Sequence, residues 1–248
     1  MAVASAQLPA DQIAQGDSLL RSLHPDQALA HYHAALRADS ASYAALWKTA
    51  RATIDIAKQI TADDGPERKR RDSLYLLAKG YAERAIQADS NDAEGHYALA
   101  LALGRLSRTM GGREKLKYAK IIREEDLKAL ALNPDHDGAH HVLGAWNAEV
   151  KRLSGATKFF AKALFGAGFL NAASWDSATA NLERAVELNP GYIYHHLELA
   201  EVYVDLNRNA DAIRQLEAIQ PLSDSDVLDR EHRRRAAELL KQLQAKAR

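Results

Sequence analysis

Four stretches of the chain end alike: Ala35-Leu36-Arg37-Ala38-Asp39-Ser40, Ala85-Ile86-Gln87-Ala88-Asp89-Ser90, Ala129-Leu130-Ala131-Leu132-Asn133-Pro134 and Ala185-Val186-Glu187-Leu188-Asn189-Pro190. Each closes on an alanine, an apolar residue, a variable one, a small or apolar one, and then Asp or Asn followed by Ser or Pro. In three of them another alanine stands seven positions earlier: Ala28, Ala78 and Ala178. Residues seven apart share a helix face, and small ones there let a second helix approach closely. The Asp/Asn-Ser/Pro pair stops the helix and turns the chain. After three of the stops a second pattern starts in a common register: His96-x-x-Leu99-Ala100, His140-x-x-Leu143-Gly144 and His196-x-x-Leu199-Ala200-x-x-Tyr203. Punctuation of this kind confines the chain to helix pairs, repeated.

Composition agrees. The chain of 248 residues holds 48 Ala and 33 Leu against 10 Ile and 7 Val. Good helix formers thus outnumber the β-branched aliphatics that a sandwich, a barrel or a parallel sheet needs. The 33 basic and 33 acidic residues cancel, which argues against nucleic-acid or membrane-surface binding by bulk charge. With no cysteine, thiolate metal sites, disulfide scaffolds and cysteine nucleophiles are excluded. No run of apolar residues reaches the ~18 to 20 that a membrane helix needs. The prolines fit the same map. Pro9 and Pro66 are expected at helix starts, Pro25 in a turn, and Pro134, Pro190 and Pro221 just past helix ends. Gly65-Pro66 and Gly111-Gly112 mark the longer turns within the second and third units.

This alternation of helices, with small residues where they cross, resembles the tetratricopeptide repeat. Gly16, Ala28, Tyr32 and Ala35 occupy the family's small and large positions in the first unit. The expected fold is an all-α, right-handed α-solenoid of about five helix pairs plus a C-terminal capping helix. Residues 1–8 are expected as a disordered leader or signal-peptide remnant and 9–248 as one domain, with repeats over about 9–42, 43–92, 93–136, 137–192 and 193–222 and a cap over 228–247. The cap carries Leu239, Leu240 and Leu243 as an apolar stripe.

The fourth unit departs from the repeat. Its extra length holds all four phenylalanines, Phe159, Phe160, Phe165 and Phe169, within an insertion at 156–170. Burying each is worth on the order of 2 kcal/mol, so the element is expected either to plug the groove or to act as a lid or apolar surface. Around it, Ala139-His140-His141-Val142-Leu143-Gly144-Ala145-Trp146-Asn147-Ala148-Glu149-Val150 and Ser177 to Pro190 resemble the regulator of microtubule dynamics family, with a match in order and spacing over roughly residues 75–220. That resemblance implies a helical adaptor. In animal members it implies association with microtubules or organelle contact sites, and in one branch phospholipid binding. Bacterial relatives commonly begin with a secretory signal. Ala4-Ser5-Ala6-Gln7 reads like the end of such a signal, so the expected location is extracytoplasmic (periplasmic), with cytoplasmic as the alternative.

Ten histidines invite a metal reading, with His96, His136 and the pairs His140-His141 and His195-His196 near one another in the stack and Glu149 as a carboxylate. Adjacent histidines point to different helix faces, however, and His-Glu-x-x-His spacing is missing. His96, His140 and His196 stand where the repeat places a packing aromatic, so hydrogen-bonded buried rings are expected and no metal or cofactor is assigned. Arg68-Lys69-Arg70-Arg71, Arg113 to Arg123 and Arg233-Arg234-Arg235 read as solvated helix faces, without the aromatic interleaving of a nucleic-acid site. No phosphate loop, nucleophile elbow or catalytic carboxylate pair appears, and an enzyme is not expected.

In the repeat register the inner groove is expected to present Trp47, Arg51, Tyr97, Arg105, His141, Trp146, Glu149, Tyr194 and Glu201. Aromatics with both signs of charge suit an extended peptide or a helix, the rings anchoring and the charges setting direction. The lysine/asparagine clamp of chaperone adaptors has no counterpart. The expected function is a non-catalytic protein-binding adaptor. The alternative is a carrier of a lipid or other apolar ligand built on the Phe-rich insertion.

Overall fold

The computed structural model describes residues 2–165, 168 and 171–246, with side chains for these apart from residues 2–8, 112, 160, 164 and 165. Among the described residues every regular element is an α-helix. These are α1 (Ala2–Arg21), α2 (Pro25–Ala38), α3 (Tyr43–Lys58), α4 (Gly65–Ala88), α5 (Ala93–Ser107), α6 (Gly112–Leu132), α7 (Asp137–Arg152), α8 (Gly155–Phe165), α9 (Trp175–Leu188), α10 (Ile193–Asp205), α11 (Asn209–Ala218) and α12 (Asp229–Lys246).

The four stops lie where the sequence put them. Helices α2, α4, α6 and α9 end at Ala38, Ala88, Leu132 and Leu188, and the next residue's N–H closes back on Ala35, Ala85, Ala129 and Ala185 respectively. Asp39 and Asp89 then accept from the backbone N–H two residues on, at 3.0 and 2.9 Å. These side chains replace the helix's own bonding and fix the turn. One start differs. Helix α1 reaches back to Ala2, so Pro9 lies inside it rather than at its beginning. Helix-forming residues precede Pro9 in sequence, and their propensity outweighs the single N–H that proline withholds.

The chain divides into two compact units, one of α1–α5 with Glu124–Pro134, the other of Gly112–Arg123 with α7–α12. In the first, α1 packs on α2, α2 on α3, α3 on α4 and α4 on α5. Ala35, Leu36, Ala45, Leu46 and Ala85 form one apolar cluster there, and Ala28, Tyr32 and Ala52 another. The Tyr32 hydroxyl donates to Asp17 at 2.8 Å, and Asp17 also takes the Lys48 ammonium at 2.8 Å. In the second unit α7 packs on α9, α9 on α10, α10 on α11, and α12 on both α10 and α11. Its core runs through Ala178, Leu182, Ile193, Leu197, Leu216 and Leu243.

The repeat register predicts burial closely. Three positions before the closing alanines stand Tyr32, Ala82, Asp126 and Leu182, all fully buried. Three of these suit a core. Asp126 does not, and among the described residues neither of its carboxylate oxygens has a hydrogen-bond partner.

Candidate functional site

The histidines at the repeat's aromatic position are structural. His96 and His196 are buried, and each ring spans the same two places. Nε2 lies 3.2 Å from Ser90 O in His96 and 2.9 Å from Pro190 O in His196, both carbonyls of helix-stop residues. Nδ1 meets the second helix of the pair, at Glu125 (2.6 Å) and Gln215 (2.8 Å). His140 reaches Asn181 on α9 at 2.9 Å. Its neighbour His141 turns elsewhere, its Nδ1 lying 3.0 Å from His195 Nδ1.

That contact belongs to a buried chain of polar groups. The Asp137 carboxylate accepts from His195 Nε2 at 3.2 Å and from the Asn189 amide at 2.8 Å. Burial alone raises the Asp137 pKa, but the bonds from His195 and Asn189 outweigh it and hold the carboxyl well below its ordinary range. Burial lowers the pKa of His195, against the opposing pull of Asp137. The pair is therefore a carboxylate beside a neutral ring. With Nε2–H given to Asp137, His195 Nδ1 accepts, and His141 Nδ1–H donates to it. The His141 ring lies 4.6 Å from that of Tyr194, which stacks on His232 at 4.4 Å. Asp229 Oδ1 completes the chain 3.2 Å from His232 Nδ1.

The nine residues assigned to the groove from sequence separate into two kinds. Tyr97, His141, Trp146 and Tyr194 are buried. The Arg51 guanidinium lies 4.9 Å from the centre of the Tyr97 ring, and the Trp146 indole N–H donates to Ala119 O at 2.7 Å. Trp47 is half-buried, with the Lys48 ammonium 4.4 Å from its ring, and Arg105 is half-buried on α5. Glu149 is exposed and Glu201 half-buried. Of the insertion, Phe159 is 70 % exposed on α8; the side chains of Phe160 and Phe165, and Phe169 as a whole, lie outside the described residues.

Glu201 leads to an open cavity in the second unit, about 390 Å³, lined by α7, α10 and α12. Helix α10 contributes Glu201, Val204 and Asp205; α12 contributes Arg235, Glu238, Leu239 and Gln242; Arg152 closes the end of α7. Spacings of three and four put each set on one helix face. Arg152 is held by three carboxylates. Its Nε donates to Asp205 Oδ2 at 2.8 Å and its Nη1 to Glu149 at 3.3 Å, with Glu198 3.6 Å away. Burial pulls the Arg152 pKa down, but these carboxylates, Asp205 foremost, raise it overall. Arg235 donates to Glu201 Oε1. Burial raises the Glu201 pKa, the Glu198 charge adds to the shift, and Arg235 opposes it. Of the residues named from the repeat register, Glu201 lines this cavity and Glu149 bonds to Arg152. The register missed Arg235, Glu238 and Gln242, which sit on the capping helix outside the repeat.

Comparison with solved structures shows the tetratricopeptide-repeat fold. A tetratricopeptide protein of Thermus thermophilus superimposes with a TM-score of 0.65 at 20 % identity, covering 94 % of this chain and 99 % of that one. The pilF protein of Pseudomonas aeruginosa gives a TM-score of 0.57 at 16 % identity, covering 98 % and 93 %. Among curated proteins, regulator of microtubule dynamics protein 3 of Xenopus laevis is 30 % identical over 196 residues, or 79 % of this chain and 41 % of its own length. Regulator of microtubule dynamics protein 1 of Bos taurus is 27 % identical over 197 residues, or 79 % of this chain and 60 % of its own length. The chain thus spans about half the length of these relatives, and these two vertebrate proteins lend no support to the extracytoplasmic location expected from Ala4-Ser5-Ala6. No described helix is long and apolar enough to cross a membrane. The model for regulator of microtubule dynamics protein 1-3 matches residues 12–244, and the chain belongs to that family.

Proposed function

We propose that this chain is a non-catalytic protein-binding adaptor, and that its second unit docks an extended segment of a partner polypeptide in the cavity between α7, α10 and α12. The observation that carries the reading is the cavity itself. It combines a concave wall, two apolar side chains and charged groups of both signs on three helices that pack without a loop between them and the site. Rigid elements that present fixed charges give a docking surface direction at little ordering cost. Glu201 lines the cavity and Glu149 pairs with Arg152, which also lines it. Tyr194, stacked on His232 of α12, supports the wall from within. In the first unit the same reading assigns Trp47 and Arg105 to contact and the Arg51–Tyr97 stack to support. The relatives are named as regulators of microtubule dynamics, and that is the setting in which we place the adaptor.

The test is site-specific photocrosslinking in a lysate of the source cells. A photoreactive residue at Gln242 is expected to capture a discrete polypeptide. One at Gln244, on the other side of α12, is expected to capture nothing comparable. Equal labelling from both positions, or none from Gln242, refutes the assignment.

A further inference from the structure

Resting on that reading, the unpaired carboxylate charge of the cavity points to its occupant. Each cation of the wall already has a carboxylate: Arg152 donates through Nε to Asp205 Oδ2 and through Nη1 to Glu149, and Arg235 donates to Glu201 Oε1. Acceptors remain. Asp205 Oδ1 and Glu201 Oε2 make no hydrogen bond among the described residues, since each carboxylate is engaged through its other oxygen. Glu238 lines the cavity, and among the described residues it makes neither a hydrogen bond nor an ion pair, though its charge reaches Arg234 from the next turn of α12. Gln242 adds an amide oxygen.

Charge points the same way. Of the residues that line the cavity, Glu201, Asp205 and Glu238 are anionic and Arg152 and Arg235 cationic. Carboxylates are in excess by one, and the Glu198 charge adds to the cost of ionising Glu201. An anionic segment entering here meets like charge. A neutral one leaves the acceptors unfilled. Val204 and Leu239 supply an apolar strip beside them, which suits the methylene stem of a long basic side chain whose head reaches the carboxylates.

We propose that the cavity receives an arginine or lysine side chain of the partner polypeptide, its stem against Val204 and Leu239 and its charged head on Asp205, Glu201 and Glu238. The test is an amide ¹H–¹⁵N titration of the whole chain at low salt with N-acetyl-arginine methylamide, run beside N-acetyl-glutamate methylamide. The arginine probe is expected to shift the amides of Val204, Leu239 and Gln242 saturably, and the glutamate probe is not. Glu238→Gln, an exposed change, is expected to weaken the arginine probe severalfold, and Glu201→Gln with Glu238→Gln about tenfold. Glu187→Gln, paired with Arg184 on α9, is expected to change nothing. Because Glu238 is exposed, its variant keeps the test valid should the double variant unfold. Preference for the glutamate probe, or silence from both, overturns the proposal. In either case a surviving crosslink from Gln242 leaves the docking reading standing, and its loss removes that as well.

Discussion

The indole N–H of Trp146 donates to the carbonyl of Ala119 across 2.7 Å, so α7 is tied to the first half of α6 by one buried bond. The ring is 5 % exposed, and the Arg123 guanidinium lies 5.5 Å from its centre. A Trp146→Phe variant keeps most of the apolar contact and loses the donor, for an expected cost of about 1 kcal/mol. Trp146→Ala also leaves a hole, and about 3–5 kcal/mol is expected. Urea denaturation of the two variants checks the order. Equal losses would mean that the bond contributes and the packing does not.

Gly144 and Gly104 are both helical glycines, and they respond oppositely to alanine. A Cβ on Gly144 falls 2.6 Å from Leu182 Cγ and 3.1 Å from Ala178 O, whereas one on Gly104 meets nothing within 4 Å. Gly104→Ala is expected to raise stability by about 0.5–1 kcal/mol, the ordinary helix preference. At Gly144 the same preference is set against overpacking of about 1–3 kcal/mol, and a net loss is expected. Leu182→Ala gives room to the new methyl group. The Gly144→Ala/Leu182→Ala double variant should therefore be less destabilised than the sum of its parts, as a double-mutant cycle in urea will show.

Gly144 was visible in the sequence because the rule behind it is local. Where two helices cross, a small residue must recur, and Gly16, Ala100, Gly144 and Ala200 recur. The four helix stops were visible for the same reason, since Asp39 and Asp89 end a helix with their own side chains. The site was less legible. Tyr97, Trp146 and Tyr194 occupy inward register positions, yet whether such a ring lines a surface or is covered depends on distant chain. Tyr194 is covered by His232, from a capping helix with no repeat register. Arg235 and Glu238 reach the cavity from that helix too. Pattern reasoning also reads a core position as apolar, so Asp126 went unnoticed.

Asp126 carries its own pH signature. It is fully buried, and burial raises its pKa well above the ordinary carboxylate value. Unfolded, it titrates near ~3.9. Between that pH and the raised folded value the native state binds a proton that the unfolded chain has released, so stability falls as pH rises through this window. Asp126→Leu removes the group and is expected to stabilise by about 1–4 kcal/mol at pH ~8, and by less near pH ~4, where the native carboxyl is neutral. Chemical denaturation at the two pH values measures the difference. A gain of the same size at both would show that the charge is not what the site bears.

Asp137 and His195 produce the opposite slope. Asp137 stays ionised in the native state below its unfolded value, because His195 and Asn189 donate to it. Its stabilisation is fully present above ~3.9 and is lost as pH falls toward the depressed native value. His195, lowered by burial, stays neutral in the native state where the unfolded ring takes a proton, so stability also declines as pH falls below ~6.5. Two successive losses on acidification are expected, one starting near pH ~6.5 and one near ~4. Asp137→Asn keeps an acceptor for the His195 N–H but removes the charge, for an expected cost of about 1–3 kcal/mol at neutral pH. It should shrink the lower step, to which Glu125 and Asp229, also held below their ordinary range, contribute as well. His195→Gln, whose amide still has an N–H to offer Asp137, should shrink the upper step, which it shares with His33, and leave the lower one in place. Melting temperatures of the three proteins between pH ~2 and ~8 decide the assignment. A lower step of undiminished size in Asp137→Asn would show that Asp137 does not contribute to it.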